Sequence, residues 1–175
     1  MKNEKSTLKS MPQRPRLQIP LTATDRIIEV SGYVCLAALW GMTLFAYDNL
    51  PETIPTHFGA GGAVDDYGSK MTLFFLPVIG TLVFIGLTVL NHYPHVFNYP
   101  TNITPSNALS QYTNATRMIR FMKFSITFIS LVIVFMIYNA VITGSGRLGS
   151  AFVPILVVVL VIPLVYFTFK MLKGK

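Results

Sequence analysis

Four stretches of about twenty residues without a charged side chain, at 30–47, 71–90, 124–142 and 151–169, limit what this chain can become. At roughly 1.5 Å of rise per residue, a helix of that length crosses a hydrocarbon core of about 30 Å. A spanning segment must satisfy its own backbone hydrogen bonds. Runs of this length without two-residue alternation are helices, because barrel strands need only about ten residues. Composition agrees: 52% of the residues are hydrophobic and 12% charged, where an ordinary soluble domain carries about 25% charge. The expected fold is an all-α integral membrane protein of four transmembrane helices. The first run is preceded by a long basic region and closed by no A-x-A site, and it exceeds a signal core of roughly 7–15 residues. It reads as an uncleaved anchor.

Basic residues set the expected orientation. Lys2, Lys5, Lys9, Arg14, Arg16 and Arg26 precede the first span, Arg117, Arg120 and Lys123 enter the third, and Lys170, Lys173 and Lys175 follow the fourth. Only Lys70 and Arg147 fall on the other side, which places both termini in the cytoplasm, N-in and C-in. The expected location is the cytoplasmic (inner) membrane of a bacterium, with the bilayer as the first partner. The net charge of +7 follows from this bias, and nucleic acid is not expected as a partner. The single cysteine, Cys35, lies inside the first span and reads as a small packing residue.

The chain divides into a disordered basic cytoplasmic tail at 1–23, a helix-loop-helix membrane domain at 24–90, a cytoplasmic loop and interfacial helix at 91–123, and a C-terminal transmembrane hairpin at 124–175. Thr24 or Asp25 is the expected cap of the first helix, with Glu29 an interfacial anchor. The cytoplasmic motif comprises Pro94, Phe97, Asn98, Tyr99 and Pro100 with Arg117 and Arg120. After its prolines, apolar residues at three-to-four spacing predict a surface helix that starts near Ser106, capped by that hydroxyl, and runs into span three.

No Asp, Glu, Lys, Arg or His lies within the four apolar cores, which argues against a pump or coupled transporter. Ala37 with Gly41, and Gly80 and Gly86 in span two, allow close helix approach. Internal packing is the expected use, and a homo-oligomeric seam the alternative. Pro77, Pro154 and Pro163 should kink their helices and free carbonyls for Ser, Thr or neighbours to satisfy. Asn139 reads as an interhelical donor, and Trp40 as bulk in the core or against lipid.

The segment 48–70, DNLPETIPTHFGAGGAVDDYGSK, is where recognition or chemistry belongs. Asp48, Glu52, Asp65 and Asp66 against Lys70 give it a formal charge of −3 on the outer side. Pro51 and Pro55 favour extended predecessors, and Gly59, Gly61, Gly62 and Gly68 permit tight turns, so a short structured outer loop is expected. His57 and Asp65 are weak candidates as metal ligands, since the spacing fits no H-E-x-x-H, paired-Cys or EF-hand pattern. His57 with Asp65 also resembles an acid-base pair, but no nucleophile sits in a recognisable elbow. No cofactor is expected, and catalysis is not the favoured reading.

Leu50, Pro51, Ile54, Pro55, His57, Phe58, Gly62, Asp65, Gly68 and Lys70 form a pattern, L-P-x-x-I-P-x-H followed by an aromatic and then G, D and K at set distances. With these residues, 27–90 resembles the domain-of-unknown-function 1648 family of bacterial membrane proteins, related to the immunity proteins for a sporulation-delaying toxin. The chain departs from that pattern at Gly59, where several members carry Asn or Asp. The immunity proteins also hold an additional membrane module. The resemblance and the acidic loop together imply a non-catalytic, immunity-like or sensing-like protein whose outer loop recognises a peptide, lipid or partner, using Phe58 and Tyr67 for apolar contact and Asp65 and Asp66 for cationic groups. A small membrane enzyme or permease, metal-assisted through His57 and nearby carboxylates, is the alternative.

Overall fold

The structure, a computed structural model, describes residues 14–59, 61–147 and 151–174. It is mainly helical, with four helical segments long and apolar enough to span a membrane: Ala23–Asn49, Lys70–Leu90, Ala108–Thr143 and Phe152–Lys173. The first is helix α1, Ala23–Asn49. Strands β1, Thr53–Phe58, and β2, Val64–Ser69, pair antiparallel into the one small sheet among the described residues. A 3₁₀ turn, Lys70–Phe74, leads into α2, Phe75–Leu90. Helix α3, Ala108–Thr143, follows a second short turn at Pro94–Val96. The last span is α4, Phe152–Leu156, a π-helical stretch Val157–Val161, and α5, Ile162–Lys173.

A capping box starts α1. The Asp25 amide donates to Thr22 Oγ1 at 3.3 Å, and the Thr22 amide donates back to Asp25 Oδ2 at 2.9 Å. Thr22 is therefore the cap, rather than Thr24 or Asp25. The helix expected to lead into the third span is present and continuous with it. It begins at Ala108 behind Asn107, and the Ser106 hydroxyl bonds Thr104 Oγ1 at 2.9 Å instead of capping. At 36 residues, α3 is about 54 Å long. Its first turns bury Gln111, Tyr112, Ala115 and Thr116, because they pack against neighbouring elements as well as extending the span. The Gln111 amide, for example, donates to the carbonyls of Met171 and Gly174 at 2.8 and 2.7 Å, tying the end of α5 to the start of α3.

The spans show the inverted distribution that lipid requires. Ile27, Val34, Phe75, Leu82 and Val165 stand exposed, while Thr43, Ser125, Thr127 and Ser130 are buried between helices. One apolar core, built from Leu39, Ala46, Leu50, Ile54, Leu73, Val134 and Ile137, joins α1, α3, the hairpin and the 3₁₀ turn. Close approach occurs at Gly32, where a Cβ would lie 3.1 Å from Phe84, and at Gly80, beside Leu39. Gly41 and Gly86 face open space, so the internal-packing expectation holds for Gly80 and fails for those two. Gly32→Val should cost about 1–3 kcal/mol through displacement of the Phe84 ring, read as a lower thermal unfolding midpoint in detergent. Gly41→Val should leave the midpoint near wild type.

Pro163 shows how a broken helix is repaired. Lacking an N–H, it leaves the Val159 carbonyl four residues back without its helical donor, and the Ser125 hydroxyl of α3 supplies one at 2.6 Å. Pro77 and Pro154 fall in the first turns of α2 and α4, where no donor is needed. Two expectations are corrected here. Asn139 donates to the Phe135 carbonyl of its own helix at 3.1 Å, where the carbonyl four residues back lies on the same helix face. Trp40 links helices, its Nε1 donating to Thr81 Oγ1 at 3.0 Å, since an indole N–H in an apolar span needs an acceptor.

The two ends of the bundle carry different chemistry. At one end the hairpin meets the loop after α3: Val64 N–H donates to the Gly146 carbonyl at 3.0 Å, and Ala63 bridges Arg147. The other end gathers residues 14–22, the loop 91–107 and the end of α5. Residues 1–13 of the expected disordered tail lie outside the described residues. Residues 14–22 are extended and docked: Arg14 donates to the carbonyls of His95 and Phe97 at 3.3 and 2.6 Å and lies over the Tyr99 ring at 5.6 Å. The guanidinium finds carbonyl acceptors and an aromatic face together, which composition alone did not reveal.

Candidate functional site

The hairpin brings most of the 48–70 motif together. Leu50 ends α1 and is buried with Ile54, while Phe58 packs against the same core. Pro55 is tolerated in β1 because each strand of a two-stranded sheet is an edge. At the tip, the Gly59 amide donates to the Ala63 carbonyl at 2.8 Å and the Gly62 amide to the Gly59 carbonyl at 2.8 Å, with Gly62 at a φ of 76°. Gly68 is needed because a Cβ there would lie 3.0 Å from Thr56 Cγ2. Pro51 is exposed at the base.

Lys70 is the staple of this unit. Its Nζ lies 3.1 Å from Glu52 Oε1, donates to the Leu50 carbonyl at 3.4 Å and sits 4.6 Å from the Tyr47 ring centroid. A cation at the carboxyl end of α1 is favoured by the helix dipole, so Lys70 fixes both strands' base to α1. His57 Nδ1 and Asp65 Oδ1 meet at 2.5 Å on the exposed surface of the hairpin. Both side chains are more than half exposed, so solvent screens the pair. Among the described residues no three of His, Cys, Asp and Glu converge on a point where a metal would sit. Phe58 turns inward, which removes it from the outer contact surface expected for it. Tyr67 is 60% exposed, Asp66 is exposed beside it in sequence, and Asp48 is exposed in the last turn of α1.

The opposite end holds a charged cluster that crosses between helices. Asp25 and Glu29 are one helical turn apart on α1, and Arg117, Arg120 and Lys123 succeed one another at three-residue spacing on α3, so each set lines one face. Arg117 Nε donates to Asp25 Oδ1 at 2.8 Å, and Arg120 Nε lies 3.5 Å from Glu29. Lys123 Nζ donates to Glu29 and, at 2.9 Å, to Thr88 Oγ1 of α2. Asp25 and Lys123 are 1% and 2% exposed. Burial of an ion costs several kcal/mol unless its partners are well placed, and here two carboxylates face three cations. Arg117 and Arg120 belong to the motif that the sequence suggests; Asp25, Glu29 and Lys123 complete the network around them. The complementary spacing of the two charge sets was the signal available, but their pairing spans more than ninety residues.

The remaining motif residues sit nearby. Pro94 is buried and opens the 3₁₀ turn, Phe97 and Tyr99 stack at 6.2 Å, and Asn98 and Pro100 are exposed. The Tyr99 hydroxyl donates to the Pro94 carbonyl at 2.9 Å, and burial pushes its phenol above the ordinary tyrosine range.

Residues 34–81, from α1 through the hairpin into α2, match the family model described as Domain of unknown function (DUF1648). An uncharacterized protein of Archaeoglobus fulgidus is 38% identical over 89 residues, covering 46% of this chain and 49% of its own length. The chain thus spans about half the length of that relative. No solved structure matches it. The matched domain is centred on the hairpin, and the chain is a multi-pass membrane protein by its four apolar spans.

Proposed function

We propose that this protein is a polytopic protein of a bacterial cytoplasmic membrane, both termini inside, that recognises a cationic peptide or protein segment at its outer hairpin without catalysing a reaction. The observation that carries this reading is the two-faced hairpin. Ile54 is 1% exposed and holds the sheet to the bundle, while Tyr67 on the paired strand is 60% exposed. An exposed aromatic side chain on an anchored strand, with acidic neighbours, suits a ligand that combines positive charge with apolar surface. Anchoring through Ile54 and Lys70 limits the ordering that binding would otherwise require. The positive-inside bias supports an outward hairpin, because the sparsely basic end carries it.

The test uses the full chain in nanodiscs of neutral lipid, titrated with a short Lys- and aromatic-rich peptide. Asp66→Asn with Tyr67→Ala should weaken binding about tenfold or more, the order expected from losing a charge contact and an aromatic contact. Wild-type affinity should fall with added salt. Equal affinity in the variant, or no salt-sensitive binding at all, rejects the reading.

A further inference from the structure

A cavity of about 460 Å³ lies under the 14–22 segment, walled by α1, the end of α2 and the first half of α3. Its size is that of small-molecule sites in general. Two of its walls are unlike. Leu17, Ile19 and Leu21 line it from the docked segment, and Arg120, Lys123 and Glu29 line it from the helices. The segment crosses between two fixed points, Arg14 on the 91–99 loop and Thr22 at the cap of α1.

Arg120 is the informative side chain. It is 9% exposed, and its guanidinium has ion contacts at 3.5 Å to Glu29 and 3.9 Å to Asp25. Among the described residues it makes no hydrogen bond, although a guanidinium has five N–H donors. Lys123 uses two of its three donors, on Glu29 and Thr88. None of the Arg120 nitrogens is a sealed, unpaired atom, so its free donors open onto the cavity that it lines, while Lys123 Nζ also lies 4.7 Å from the Phe84 ring centroid. With Asp25 and Arg117 taken as a closed pair, the charged groups facing the cavity are Glu29, Arg120 and Lys123, which leave one positive charge in excess. His92 also lines the wall, with Nδ1 held at 2.8 Å by the Thr88 carbonyl.

We infer that this cavity binds the phosphate of a singly charged phosphodiester, its oxygens accepting from Arg120 and Lys123 while the apolar part of the ligand lies against Leu17 and Leu21. Guanidinium and ammonium donors together form the usual phosphate clamp. The single excess charge matches a phosphodiester better than a phosphate dianion, and Glu29 disfavours the second negative charge. The cavity opens beside the first turns of α1, at the end of that apolar span. An anionic glycerophospholipid fits these conditions, and a soluble phosphate compound shares the chemistry.

The test is native mass spectrometry and thermal unfolding of the delipidated full chain with phosphatidylglycerol, phosphatidylcholine and inorganic phosphate as separate probes. Phosphatidylglycerol should give a one-to-one adduct and raise the unfolding midpoint, and Arg120→Gln should weaken it about tenfold or more. Because Arg120→Gln also disturbs the ion pairs, Leu21→Trp serves as a second variant: Leu21 lines the cavity and takes no part in those pairs, so an indole there should narrow the site and lose the adduct with the fold intact. Arg147→Gln, at the far end, should bind normally. Protection by inorganic phosphate alone supports the anion site and assigns a soluble source. The inference is overturned if folded Leu21→Trp binds like wild type, or if phosphatidylglycerol acts no differently from phosphatidylcholine and phosphate has no effect.

Discussion

Asp25→Ala is expected to destabilise the protein by about 3 kcal/mol, the low end of the cost of breaking a buried ion pair, because Arg117 keeps a quarter of its side chain exposed. Asp25 is 1% exposed, receives the Arg117 Nε–H at 2.8 Å and accepts from the Thr22 amide at 2.9 Å. The substitution therefore removes a helix cap and an ion-pair partner together. Loss of the cap alone is worth about 0.5–2 kcal/mol, so a larger fall identifies the ion pair as the main contribution. Unfolding midpoint in mild detergent and the yield of folded protein are the readouts. Asp25→Asn combined with Arg117→Gln should recover part of the loss, because neither member then carries an unmatched charge. If the double variant is as unstable as the sum of the singles, the two residues do not interact.

Ile54→Ala should cost about 2–5 kcal/mol. Its side chain is 1% exposed and belongs to the core shared by Leu39, Leu50, Leu73, Val134 and Ile137. Truncation removes the contact that holds the hairpin to α1 and α3, so protease cleavage near the glycine-rich tip at 59–62 should accelerate before the helices melt. Tyr67→Ala, which removes an exposed side chain from the partner strand, should change stability by no more than about 0.5 kcal/mol. Comparable proteolysis of both variants would show that Ile54 does not anchor the hairpin.

The helical spans were legible because hydropathy over about twenty residues is a local property that lipid enforces. Their repair at Pro163 was legible in kind, as a carbonyl needing a Ser or Thr, though only the fold identifies Ser125 as the donor. The structured loop was also legible from its glycines and prolines. Its strands were not, because Pro55 breaks the usual strand composition and two short strands leave no alternating pattern. Phe58 looked like a contact residue since a short strand's inward face is decided by packing. Locally, Asp25 and Glu29 have the character of a cap and an anchor. Their neutralisation by Arg117, Arg120 and Lys123 is tertiary, and nothing local marks which acid meets which base.

That neutralisation imposes an order on biosynthesis. Asp25 is translated 92 residues before Arg117, and Glu29 94 before Lys123, an interval of roughly 5 to 20 s at ordinary elongation rates. During it the nascent first pair of helices holds two carboxylates that nothing in the emerged chain can balance in the same geometry. The bundle end closes only when the third helix leaves the ribosome, and a chain arrested between positions 90 and 117 would hold its acids open to water or to a borrowed cation.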